Sequence, residues 1–376
     1  MNIGFDAKRA FCNSRGLGCY SRDVIRILSE YFPDNRYLLY TPKIKGTIEV
    51  PYNESCCEVK SPTGIYSSGL MSSLWRTRGI CSDVQRDGID LYHGLSHELP
   101  YGIEKTGART VVTMHDLIFY KNPELSPWFD RYSFRKKYLH GACSADRIIA
   151  ISEETKKDLV DCLGVKEERI DVVYQGYSTV FRQPVTEEQM LRVKVQYKLP
   201  DRFMLIVCAI ERRKNHELIL RAMRNPEVDI PLVVGGNPSE YKDKLMEMIQ
   251  TYHLENKVYF IGHVATEDLP ALYKLADLFV YPSLFEGFGR PILESLVMGT
   301  PVITSKGSCF RETGGDSARY VSCDDADELA DAILSVQRDD ELRKSMIEKG
   351  YQHVSNFSDE VIADNLMKTY KKVMCI

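Results

Sequence analysis

The sequence predicts an α/β protein built from two open parallel sheets, each flanked by helices. Three observations carry this. Short apolar runs alternate with longer amphipathic segments almost from end to end. Most of the runs are rich in Val, Ile and Leu rather than alternating, the pattern of parallel strands buried on both faces. The runs number twelve, too many for one strongly twisted open sheet, and 376 residues suit two domains of ordinary size.

The expected strands of the first half span residues 2–6, 37–41, 89–93, 110–114, 147–151 and 170–173. Those of the second half span 203–207, 232–234, 258–261, 278–281, 302–304 and 319–321. Segments 152–163, 269–276 and 324–337 have the spacing of intervening helices. Repeated strand–helix order implies two Rossmann-like domains of about six strands each. The strand pattern stops at Gln175-Gly176-Tyr177, so the break is placed within 176–186, giving domains of 1–180 and 181–357. A further helix at 358–373 follows the last strands.

Composition narrows the function classes. Hydrophobic content of 44% and charged content of 27% are those of a soluble globular chain. A net charge of −4 argues against a chain-wide basic nucleic-acid footprint. The amino terminus enters a strand-like run at once, without the pattern of a signal peptide, and no apolar run approaches a membrane span. Eleven cysteines, an odd number without a Cys-x-x-Cys pair, suit a reduced, cytoplasmic setting. The basic run Arg131-Tyr132-Ser133-Phe134-Arg135-Lys136-Lys137 offers a peripheral contact for the cytoplasmic face of a membrane, though such runs are more often solvated helix faces.

In doubly wound sheets ligands gather beyond the carboxyl ends of strands, and the polar motifs of this chain fall there. After the 278–281 run comes Glu286-Gly287-Phe288-Gly289-Arg290-Pro291-Ile292-Leu293-Glu294. Pro291 suits the first turn of a helix, the amides and dipole of that helix start favour an anion, and the glycines admit close backbone approach. Glu286 then faces a ligand from the loop and Glu294 from the first helical turn.

After the 203–207 run comes Glu211-Arg212-Arg213-Lys214-Asn215. Cations at a helix start oppose the dipole, which favours an anionic ligand between them. Each cation in contact with a phosphate offers ~4 kcal/mol at an effective dielectric of about 20. Met114-His115-Asp116-Leu117 leaves the 110–114 run with a polar pair, in which Asp116 can orient His115. Arg15-Gly16-Leu17-Gly18 opens a helix after the first strand. As a dinucleotide fingerprint it fails, because Ser21 stands at the third glycine position.

Other features carry less. His93 and His97 have the spacing of a helical metal pair, but His93 ends a strand and no convincing third ligand follows. Gly235-Gly236-Asn237-Pro238 reads as a turn, and no P-loop occurs.

The Glu-x7-Glu spacing with Gly-Phe-Gly inside, together with Arg213-Lys214-Asn215 and His115-Asp116 in that order, resembles the retaining nucleotide-sugar glycosyltransferases of family 4. The likeness runs over essentially the whole chain. It implies the GT-B fold, with two parallel sheets facing across a cleft, the first domain on the acceptor side and the last helix crossing back onto it. The second domain would hold the donor.

By the same resemblance, Glu286 meets the donor sugar's hydroxyls and Glu294 the ribose. Phe288, Gly289, Pro291, Ile292 and Leu293 line the donor, Phe288 and Gly289 through their amides. Arg213 and Lys214 bind the diphosphate, His115 and Asp116 lie near the sugar, and Gly16 and Gly18 face the phosphate. Backbone groups of Gly262 and Val264 meet the base. Arg212 departs from the pattern, standing where relatives often carry Pro.

The implied activity is metal- and cofactor-independent transfer of a hexose to a glycan or lipid-linked acceptor. Thr-Met-His-Asp-Leu and Arg-Lys-Asn look most like bacterial mannosyltransferases of surface-polysaccharide synthesis, which points to GDP-mannose. The alternatives are a nucleotide-sugar epimerase of the same fold and a non-catalytic nucleotide-sugar-binding protein.

Overall fold

The structure is a computed structural model that describes residues 1–67, 69–121 and 128–376, without the side chains of 70 and 128–133. Arg131, Tyr132 and Ser133 of the basic run therefore lie outside the described side chains. The chain divides into two compact units, Met1–Gly176 with Phe357–Ile376, and Tyr177–Asn356.

The first unit contains seven parallel strands: β1 (Asn2–Asp6), β2 (Arg36–Tyr40), β3 (Cys57–Lys60), β4 (Leu91–Gly94), β5 (Arg109–Met114), β6 (Arg147–Ala150) and β7 (Ile170–Val172). Their order is β3-β2-β1-β4-β5-β6-β7. The sheet therefore grows outward from β1 in one direction and from β4 in the other. The switch point lies between those two strands, where a crevice opens at their carboxyl ends.

β3 adds a strand to the expected set. It is a short edge strand whose residues are no more than partly buried, and Glu58 pairs there with Arg36 and Lys60. Charged edge strands of this kind guard against sheet-to-sheet association, and their composition hides them from a search for apolar runs.

The second unit has six parallel strands: β8 (Met204–Val207), β9 (Leu232–Gly235), β10 (Val258–Gly262), β11 (Leu278–Tyr281), β12 (Val302–Ser305) and β13 (Arg319–Val321). The order is β10-β9-β8-β11-β12-β13, with the switch point between β8 and β11. β9, β11 and β12 are buried at every residue, which is why β9 and β11 read as apolar runs, while Thr304 of β12 is accommodated by donating to the Tyr281 carbonyl.

Local signals set the helix ends. Ser152 accepts from the Thr155 amide ahead of Glu153–Leu163, and Gly164 closes that helix with φ 64°. Thr186 and Gln189 form a reciprocal capping box at Glu187–Gln196. The last helix, Asp359–Met374, packs within the first unit. Its Asp359 makes a buried ion pair at 2.7 Å with Arg26 of the Gly16–Tyr31 helix, and removing either partner costs about 3–5 kcal/mol. No helix among the described residues is long and apolar enough to cross a membrane.

Candidate functional site

In the second unit β8 and β11 lie side by side at the switch point, so the loops leaving them open at one place. After β8, Arg212–Lys214 make one 3-10 turn, and Asn215, at φ 57°, turns the chain into the helix His216–Ala222. The Asn215 amide side chain donates to the carbonyls of Pro282 (3.1 Å) and Cys323 (2.8 Å), pinning this turn to the loops that leave β11 and β13. Leu284 N–H donates to the Arg213 carbonyl at 2.9 Å, and Ser283 Oγ lies 3.1 Å from the same oxygen.

The two loops converge on one carboxylate oxygen. Glu286 Oε1 receives Lys214 Nζ at 2.5 Å, Arg213 Nη1 at 2.8 Å, Tyr281 OH at 2.9 Å and Ser283 Oγ at 2.7 Å. Lys214 also donates to Tyr281 OH at 2.6 Å. Among the described residues none donates to Oε2. Burial alone would raise the Glu286 carboxyl, but Lys214 and then Arg213 outweigh it and hold the group at about 2. A carboxyl so acidic cannot exchange protons near neutral pH, so Glu286 is no general acid or base. It can accept hydroxyl protons in hydrogen bonds. Two cations share the one buried carboxylate, and the second carboxylate near Arg213, that of Glu211 at 3.6 Å, is half-exposed, so the buried part of the cluster keeps a positive charge that suits an anionic leaving group.

Between β11 and the helix Arg290–Val297 the backbone is aimed. Ser308 Oγ (3.0 Å) and Cys309 Sγ (3.3 Å) draw the Glu286 carbonyl to one side, and Thr313 Oγ1 donates to the Phe288 carbonyl. In a trans peptide the N–H points opposite its carbonyl, so the Gly287 and Gly289 amides face the other way. Gly289 caps the helix at φ 82°, a conformation that other residues adopt only under strain.

Pro291 sits within the first two helical residues. Glu294 comes one turn in, beyond the first turn where it was expected, with Arg290 Nε and Tyr273 OH each 3.3 Å from its carboxylate. The side chains of Ile292 and Leu293 are wholly buried, and the Ile292 amide donates to the Gly289 carbonyl. Both side chains serve the core instead of facing a ligand, because the apolar stripe of an amphipathic helix turns inward. The Phe288 side chain is buried as well, leaving its backbone as the group that can act. Gly262 ends β10 at φ 71°. Val264 is buried beside Gly235.

In the first unit His115 follows β5 directly. Its Nε2 donates to the Leu95 carbonyl at 2.9 Å, which fixes the tautomer and leaves Nδ1 without a partner among the described residues. The Asp116 carboxylate accepts from the Ile118 amide at 3.3 Å. The His115 ring is thus oriented by Leu95 and not by Asp116, since a short Asp side chain at a strand end bonds its own backbone two residues on. Burial lowers His115 to about 4, and the Arg9 charge adds to this against the Leu95 bond. The ring is neutral at pH 7 and can accept a hydroxyl proton at Nδ1.

Tyr20, on the helix that Gly16 opens, sets its ring edge against His115 with centroids 4.6 Å apart. A Cβ at Gly18 would fall 1.7 Å from the Asn13 carbonyl oxygen, so glycine is required there by packing alone; at Gly16 a Cβ would meet nothing. His93 lies on β4 with both ring nitrogens engaged, Nδ1 with Tyr370 OH at 2.6 Å and Nε2 with Thr113 Oγ1 at 2.8 Å. It is no metal ligand in this arrangement. Among the described residues no cluster of three or more His, Cys, Asp or Glu is placed to hold a metal.

The structure thus gathers Arg213, Lys214 and Glu286 into one cluster, with Phe288, Gly289, Pro291 and Glu294 continuing from it. His115 and the glycine turn meet separately in the first unit, through Tyr20. Tyr281 and Ser283 were not singled out by sequence. Tyr281 ends a wholly buried strand and looked like core, although its place at a carboxyl end was the available signal.

Two family models match. Residues 24–181 match "Glycosyltransferase Family 4" and residues 188–353 match "Glycosyl transferases group 1". The O-antigen chain mannosyltransferase B of Escherichia coli is 30% identical over 287 residues, covering 75% of this chain and 74% of that one. A glycosyltransferase from Rickettsia africae superposes with a TM-score of 0.76 at 18% identity, covering 99% and 98% of the two chains. The Anabaena protein HepE, solved with UDP and glucose, superposes with a TM-score of 0.74 at 18% identity over 99% and 100%. These neighbours show the GT-B fold. The chain belongs to the family 4, group 1 glycosyltransferases, a class of retaining hexosyltransferases.

Proposed function

We propose that the protein transfers mannose from GDP-mannose to a hydroxyl of a glycan or lipid-linked acceptor, without a metal ion. The observation that carries this is the convergence of Arg213, Lys214, Tyr281 and Ser283 on Glu286 at the switch point of the second sheet. Its net positive charge would stabilise the diphosphate as the sugar departs, a role that a divalent ion fills elsewhere. The free oxygen of Glu286 would hold sugar hydroxyls, and Glu294 the ribose. The backbone of Gly262 and Val264 would meet the base.

The bond from the anomeric carbon to the phosphate oxygen breaks on the face where the acceptor oxygen bonds, and that phosphate oxygen takes the acceptor's proton. A double displacement would need a nucleophilic carboxylate. Glu286 is a poor one, with one oxygen held by four donors. The first unit would supply the acceptor side, with His115 Nδ1 accepting from a hydroxyl. Mannose is favoured by the mannosyltransferase relative in Escherichia coli.

A thermal-shift panel of GDP, UDP, ADP and their sugars tests the donor. A ligand at 100 times its Kd adds ~2.7 kcal/mol, a shift of several degrees. Shifts with GDP and GDP-mannose but not with UDP, ADP or their sugars, followed by an α-linked product, are the expected result. A shift confined to UDP sugars would replace the donor, and none with any nucleotide would remove the donor site.

A further inference from the structure

The first unit carries a second concentration of charge, apart from the His115 pocket. β1 and β2 are parallel neighbours, so the loops leaving them share one edge of the sheet. They are tied together there. Lys45 N–H donates to the Phe11 carbonyl at 3.3 Å, and Cys12 Sγ to the Lys43 carbonyl at 3.3 Å. Arg22 Nη1 holds the carbonyls of Ala10 and Asn13 at 2.9 and 2.8 Å. Between the loops lies a concavity of about 410 Å³ whose charged lining is Lys8, Arg9, Arg15, Lys43 and Lys45.

No carboxylate lines this concavity, and none of the five cations forms an ion pair among the described residues. The nearby acids are already taken. Arg76 binds Asp6 through Nε at 3.1 Å and Glu98 through Nη1 at 2.8 Å. Burial, followed by the charge of Arg76, lowers the Lys8 ammonium from its usual range, and Arg9 adds to this against Asp6 and Glu98. Arg9 Nε is buried without an acceptor, which is costly for a charged donor. The Arg9 charge also acts on His97 and His115, lowering both.

A chain of net charge −4 that collects five unpaired cations in one hollow has left them for an outside anion. Two guanidinium forks and three ammonium groups exceed what one carboxylate can use, and suit several charges spread over phosphoryl oxygens. We infer that this concavity binds a phosphate or diphosphate group carried by the acceptor. The inference rests on the proposed acceptor role of the first unit. A soluble phosphate ester and a lipid-linked diphosphate present the same chemistry.

The test titrates inorganic pyrophosphate into the full chain and into its Lys43→Ala/Lys45→Ala variant. Both side chains are exposed and stand outside the proposed donor site, so the variant is expected to fold. Both proteins are first saturated with UDP or GDP, whichever raises the melting temperature, to occupy the donor site. Pyrophosphate should bind the variant about 10-fold or more weakly, with the gap shrinking as salt rises. Equal affinity in the two proteins overturns the inference.

Failure of both nucleotides to bind would instead overturn the donor reading, and pyrophosphate titrated alone still compares the two proteins. Kinetics with one glycan acceptor, free or prenyl-diphosphate-linked, then separates the sources. The KM advantage of the linked form should vanish in the variant. Loss of binding to phosphatidylglycerol vesicles by the variant, with no pyrophosphate binding by either protein, would assign the patch to a lipid surface and overturn the inference.

Discussion

Replacing Glu286 with Gln removes a charge and almost no volume from the centre of the second unit's cluster. Wild-type Glu286 lies at about 2 in the folded protein against 4.5 ordinarily. Over that interval, at about 1.36 kcal/mol per pH unit, ionisation contributes about 3 kcal/mol of stability at neutral pH. The folded value is the depressed one. The contribution is therefore complete above the unfolded pKa, near pH 4.5, and is lost as pH falls toward 2. Glu286→Gln should melt below wild type at pH 7, by roughly 6–12 °C in the second unit's transition. The gap should hold down to about pH 5 and lose more than half its size by about pH 3.

Differential scanning calorimetry of the two proteins across this range measures the gap directly. A gap of equal size at pH 7 and pH 3, or none at pH 7, refutes the electrostatic account of this cluster. Function gives a second measurement. The variant removes the buried counter-charge of Lys214 and leaves Arg213 only the half-exposed Glu211, so a nucleoside diphosphate should bind as tightly as before or more so. Sugar transfer should fall by about 10- to 100-fold, the worth of a hydrogen bond to a charged group. Weaker nucleotide binding would show that Glu286 works by holding the two cations in place and not by meeting the sugar.

Lys214→Ala or Arg213→Ala should lower turnover by about 100-fold or more while weakening nucleoside diphosphate binding; unchanged kinetics in both would remove them from the site. Glu294→Ala should weaken nucleotide binding with little effect on turnover at saturating donor, and calorimetric titration with the nucleotide checks this. Transfer should survive EDTA, whereas its loss and recovery on adding a divalent ion would call for a metal site. Tyr370→Phe should lower activity more than melting temperature, because it breaks the chain of hydrogen bonds from Tyr370 through His93 and Thr113 to Tyr20. A parallel loss of both would make Tyr370 a packing residue only.

Most strands were legible because each is buried on both faces and must be apolar throughout, as in Leu278–Tyr281. Cys57–Lys60 was not, because an edge strand needs no such composition. The second unit's cluster was legible for a related reason. Arg213 and Lys214 are adjacent on one loop, Glu286 lies on another that runs into the helix carrying Glu294, and the two loops leave neighbouring strands. Spacing within each loop carries the geometry, so short motifs suffice.

The first unit's pocket is built differently, and this explains why its motifs pointed to His115 without the groups that hold it. The group that fixes the His115 tautomer is the Leu95 carbonyl, which any residue at that position would supply. The ring against it comes from Tyr20, 95 positions earlier, and His93 is held by Tyr370, 277 residues away. None of these contacts has a local spacing, so no motif records them. The five cations around the β1 and β2 loops are scattered as well, and the parallel pairing of those strands is what collects them. A site assembled by topology leaves less trace in sequence than one assembled by loops. Of the two units, the first is therefore the one whose chemistry must be sought in the fold.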